Sequence, residues 1–96
     1  MSTLPYSLQF APQNIDAGQI AVTTAAQQGP NAPAGHIVLT AASANTAPIS
    51  IGGAGVTATT GLLLPPGAFV TIALQNLNRL YFISTAAGTL SWLTTY

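Results

Sequence analysis

Nowhere in this chain do twelve consecutive residues set apolar side chains at helical spacing against charged residues on the opposite side. Seven prolines and nine glycines interrupt its 96 residues. Proline removes a backbone donor and glycine adds chain entropy, so long regular elements are disfavoured. What remains is a series of short stretches rich in Val, Ile, Thr and aromatics. They alternate with period two, as half-buried strands do.

Read in order, these stretches predict a first body strand over Ile20 to Thr24 and a loop over Ala25 to Gly35. The next strand covers His36 to Ala42, with Ile37 and Leu39 on one face and Val38 on the other. Ile49 to Ile51 follows and ends at Gly52 and Gly53. A short strand is expected over Val56 to Ala58, then Leu62 to Leu64. Pro65, Pro66 and Gly67 read as a tight turn, because proline fixes φ near −65° and glycine accepts a positive φ. Phe69 to Leu74, Arg79 to Ser84 and Thr89 to Thr94 complete the set, with turns over Gln75 to Asn78 and Ala86 to Gly88. Phe82 and Trp92 are expected in the core. About eight short strands at this spacing predict an all-β fold, a small jelly-roll-like β-sandwich, with a Greek-key barrel as the alternative.

The first 17 residues read differently. Pro5 and Pro12 bar a regular central strand, while Tyr6, Leu8 and Phe10 alternate and place apolar groups on one side. Residues 1–17 are therefore read as an extended N-terminal arm that adds to a neighbouring subunit's sheet edge, with a disordered leader carrying incidental aromatics as the alternative. Residues 18–96 are read as the sandwich domain.

Composition narrows the function. The chain has one Arg, one Asp and one His, with charged residues at 2% and hydrophobic residues at 49%. An ordinary domain has about 25% charged residues. One arginine cannot neutralise many phosphates, so nucleic-acid binding through the backbone is not expected. The absence of cysteine excludes disulfides and thiolate metal sites. The longest apolar stretch, Leu62 to Leu74, is broken by Pro65 to Gly67 and falls short of the ~18 residues of a spanning helix. Neither a membrane span nor a secretory signal is expected. A surface so poor in charge favours association, so companion chains are expected to cover much of it.

Catalytic readings find little material. His36 and Asp16 are the only base and carboxylate side chains, and no serine sits in a Gly-x-Ser-x-Gly elbow. One Asp side chain does not supply the carboxylate pair of a glycosidase. Single-chain metal binding lacks ligands, although a threefold assembly would gather three copies of His36 or Asp16 on its axis. Gly52, Gly53 and Gly55 resemble a phosphate loop only in glycine content; no Lys-Ser or Lys-Thr follows. They are read as a bulge, a sharp bend or a close backbone approach between chains. Asp16 and Arg79 are the only opposite side-chain charges, available to each other or to a partner chain. No enzyme activity and no cofactor are expected.

Residues 45–93 carry a recurring string: Asn45-Thr46, the apolar strand to Gly52, Val56-Thr57, Gly61, and Leu64 to Gly67. The alternating strand with Val70 and Ile72, then Asn76-Leu77, Tyr81, Ile83, Ala87-Gly88 and Trp92, complete it. This half of the chain resembles small structural proteins of tailed bacteriophage virions. The resemblance implies a capsid decoration or cement protein, a head fibre base, or a tail-associated subunit. It implies a homotrimeric β-sandwich that binds capsid protein subunits and resides in the virion. The near-absence of charge departs from many such proteins, and the arm lies outside the resemblance. The interface residues expected from the combined reading are Tyr6, Leu8, Phe10, Arg79 and Tyr96. The alternative is a receptor- or glycan-binding module of a tail or fibre, with Tyr81 and Trp92 stacking on sugar rings.

Overall fold

A computed structural model describes residues 14–96. The eight strands are β1 (Ile15–Val22), β2 (Gln27–Gln28), β3 (His36–Ala41), β4 (Ile49–Gly52), β5 (Leu62–Leu64), β6 (Phe69–Ile72), β7 (Tyr81–Ser84) and β8 (Gly88–Thr95). A single 3-10 turn, Leu77–Arg79, separates β6 from β7. The strands form two four-stranded sheets with orders β1-β8-β3-β6 and β2-β7-β4-β5, and all pairs are antiparallel. This paired order is the double Greek key of a jelly roll. The sandwich expected from alternation and turn spacing is the fold of the chain.

The core lies between the sheets. Ile37 and Leu39 of β3, Leu90 of β8 and Val22 of β1 face Ile49 and Ile51 of β4 and Phe82 of β7. Phe82 is fully buried, and Trp92 packs against the margin of this cluster. Trp92 leans over β1 at Gly18; a Cβ there would lie 2.8 Å from the indole ring, so glycine is what lets the ring settle. The expected turn after β5 is also present. Ala68 N–H donates to the Pro65 carbonyl at 3.0 Å. Pro66 and Gly67 occupy the centre, with Gly67 at φ 82, the geometry of a type II turn.

Four expectations need correction. β1 starts at Ile15, not Ile20, so the division between residues 17 and 18 falls inside a strand. Pairing with β8 recruits Ile15 to Gln19, whose own side chains are mostly exposed. The loop over Ala25 to Gly35 contains β2, two glutamines with no apolar pattern, held by pairing with β7. Val56 to Ala58 is not a strand; Val56 N–H donates to the Gly53 carbonyl. The Val56 side chain is buried beside Gly52 and Gly61, where a Cβ would be 3.0 Å from it. Finally, the turn after β6 tightens into the 3-10 turn because Leu77 is fully buried and Asn76 caps its start. The arm through residue 13, with Tyr6, Leu8 and Phe10, lies outside the described residues.

Two polar groups yield predictions. Asn45 Nδ2 donates to the Thr89 carbonyl at 3.0 Å, and Asn45 Oδ1 accepts from Thr89 N–H at 2.9 Å. Its amide thereby imitates one more residue of β3 beside β8. Asn45→Ala strands the Thr89 N–H, while the Thr89 carbonyl keeps the Ala42 N–H at 3.1 Å; it is expected to lower stability by about 1–2 kcal/mol, read by urea unfolding. Thr94 is the reverse case. It is fully buried, and its hydroxyl has no hydrogen-bond partner among the described residues. Thr94→Val keeps the shape and removes the stranded group, so a gain of about 1 kcal/mol is expected. For a domain of this size that is a rise of roughly 4–8 °C in Tm, visible by calorimetry.

Candidate functional site: the outer face of the β1 sheet

Alternation sends every second side chain of a strand to the opposite face. In the β1 sheet, Ile20, Leu90 and Leu39 point into the core, so their strand neighbours point out. The register aligns these outward residues in rows across the four strands. One row is Ala17, Leu93, Val38 and Thr71. A second is Ile15, Thr95 and His36; a third is Gln19, Ser91, Thr40 and Phe69. The face carries no Asp, Glu, Lys or Arg.

Its apolar content is unusually open. Ile15 and Phe69 are each 72% exposed, at opposite edges of the sheet, and Leu93 is exposed between them. Val38 lies half-buried beside Leu93. The remaining outward groups are hydroxyls, small alkyl groups, an amide and an imidazole; Gln19 Nε2 reaches Ser91 Oγ at 3.4 Å. A surface without Asp, Glu, Lys or Arg that mixes exposed Ile, Leu and Phe with Thr and Ser suits burial against another protein.

The sequence-derived residues fall elsewhere. Tyr6, Leu8 and Phe10 lie outside the described residues. Arg79 ends the 3-10 turn and lines a shallow depression of about 420 Å³ with Ala73, Leu74 and Gln75. Tyr96 is exposed just beyond β8, its backbone bonded in both directions to Asn14 at 2.7 and 3.0 Å. Its side chain therefore stands where the chain enters β1. The structure does not bring Arg79 and Tyr96 into one of the rows above.

Asp16 and His36 are also separated. Asp16 has the parity of inward residues on β1, whereas His36 has outward parity on β3, so they take opposite faces of the sheet. The Asp16 carboxylate accepts from the N–H of Ala17 at 2.9 Å. Among the described residues, no group of three His, Cys, Asp or Glu side chains could hold a metal ion. Of the glycines at 52, 53 and 55, only Gly52 lies against Val56; a Cβ on Gly53 or Gly55 would meet nothing within 4 Å.

Sequence reasoning missed Ile15, Leu93 and Phe69 as surface. The signal was present in part: Val38 and Leu93 are apolar on the face opposite their buried neighbours. That a strand apolar on both sides leaves one side open is decided by what packs on it. Among the described residues, no helix is long and apolar enough to cross a membrane. Comparison with protein families, with curated proteins and with solved structures yields no match.

Proposed function

We propose that this chain is a non-enzymatic structural subunit of a phage virion, a capsid decoration or cement protein that binds capsid subunits through the outer face of the β1 sheet. The observation that carries the reading is that face: four strands wide, free of Asp, Glu, Lys and Arg, and open at Ile15, Leu93 and Phe69. Burying such a surface removes apolar area from water without stranding a carboxylate or an ammonium group. The subunit then strengthens the shell by adding contacts across capsid junctions. The likeness of residues 45–93 to phage virion proteins supports the same reading. The jelly roll is compatible with it but hosts many functions, so the face carries the weight.

The receptor- or glycan-binding alternative needs an aromatic platform in the open. Trp92 is turned onto Gly18 within the sandwich and Tyr81 is half-buried, which weakens the cue that raised that reading.

The test is made on virions of a phage that encodes this chain. Electron microscopy is expected to place sandwich-shaped density on the outer shell. Particles assembled without the chain are expected to release DNA at lower temperature. Particles that lack the protein, or carry it only at a fibre tip, overturn the proposal.

A further inference from the structure

We infer that the free edge of β1 pairs with β1 of a second copy of this chain, joining two β1 sheets into one eight-stranded sheet across a two-fold axis. The four edge strands are β1, β6, β2 and β5. Three of them are short: four, two and three residues. Short edges are one way natural sheets avoid unwanted pairing. β1 has no such protection. It runs eight residues, with neither proline nor lysine. Its register advances one for one from Ile15↔Thr95 to Val22↔Gly88, without a bulge. Among the described residues, nothing pairs with its other side.

The hydrogen-bond phase shows which groups are open. Asn14 and Tyr96 exchange both backbone bonds, so the even-numbered residues of β1 face β8. Ile15, Ala17, Gln19 and Ala21 therefore direct their backbone groups away from the sheet. Among the described residues, only the Ala17 N–H of these groups has a partner, the Asp16 carboxylate. That carboxylate is the single guard on the edge.

A second β1 suits this edge better than the other segment of the chain that could reach it. The amino-terminal segment offers six proline-free residues between Pro5 and Pro12. β1 offers its full bulge-free length, and its open residues carry no ionised side chain to repel the same residues of a copy. With the two-fold axis at Gly18, Ala17 faces Gln19 of the other copy and Ile15 faces Ala21. All four open residues of both strands are then used. Gly18 faces itself at the close spacing of a non-hydrogen-bonded pair, where it has no side chain to clash. This self-complementary contact closes at two copies, unlike the trimer implied by the phage resemblance. It stands whether or not the chain resides in a virion.

Light scattering on the full chain is expected to give the mass of two chains. Gln19→Pro removes an open N–H without touching the bonds to β8, because proline is tolerated at an edge. It should reduce the mass to one chain while the sheet signal in circular dichroism is kept. A cross-linking pair keeps the test decisive if that variant unfolds. The chain has no cysteine. Ala17→Cys and Gln19→Cys chains, mixed and oxidised, should form a disulfide-linked dimer, and neither should do so alone. The expected spacing of about 5.5 Å between facing Cα atoms suits a disulfide. A folded Gln19→Pro chain that still dimerises, a mass of three chains, or cross-linking of one variant with itself overturns the proposal. So does a dimer lost when Leu8 and Phe10 are replaced by serine in the full chain, which would make the amino-terminal segment the occupant.

Discussion

The double substitution Val38→Lys and Leu93→Lys is expected to abolish capsid binding while leaving the subunit folded. The two residues face each other across β3 and β8 in the middle of the outer face. In the free subunit both lysines reach water over their own aliphatic stems, so the sandwich loses little. In the bound state two ammonium groups would lose their water on a face that has no carboxylate of its own to pair with them. Each desolvated charge costs several kcal/mol when nothing pairs with it. Since about 1.4 kcal/mol is tenfold in affinity, the pair should weaken binding by at least about a hundredfold. Co-sedimentation with capsids measures it, and circular dichroism checks the fold. Wild-type binding by the double variant would move the contact to another surface. The same variant is expected to keep the β1–β1 dimer, because neither lysine lies on β1. Capsid binding and self-pairing are thus separable by experiment.

Phe82→Ala carries the largest expected stability effect. Phe82 is the largest fully buried side chain. It stands in the middle of the β2 sheet, aligned with Gln27 on β2 and Ile51 on β4. Truncation removes its transfer free energy and leaves a cavity that the flanking strands cannot collapse into without breaking register. The expected loss is about 3–5 kcal/mol. Domains of this size have only about 5–14 kcal/mol in total. The variant should unfold at markedly lower urea with an unchanged slope, since the same surface is exposed on unfolding. A loss below 1 kcal/mol would mean that the core between the sheets is not packed around this ring.

Stability and assembly draw on different faces of the same strands. β3 shows this most simply: Ile37 and Leu39 hold the core, and Val38 between them helps to form the outer face. β8 repeats it with Leu90 and Leu93. A chain with 2% charged residues has few means of marking one face as solvent-facing. Hydroxyls and small alkyl groups do that work here, and they are tolerated in water and at a protein interface alike. The role proposed for the outer face follows from this ambivalence.

What the sequence determined by itself is local. Period-two alternation separated the two faces of β3, Ile37 and Leu39 from Val38. The Pro66-Gly67 pair set its turn, because φ preferences belong to single residues and need no distant partner. Charge scarcity and the missing helical period confined the chain to a β-rich fold that favours company. The tertiary structure decided what depends on distant neighbours. It made a strand of Gln27–Gln28 by pairing it with β7, extended β1 back to Ile15 by pairing it with β8, and folded Val56 onto two glycines. It also decided which apolar side chains stay open, since Leu93 and Leu90 are the same residue type on one strand and only the opposing sheet separates their fates. Burial is a property of the whole packed fold, and residue type alone does not specify it.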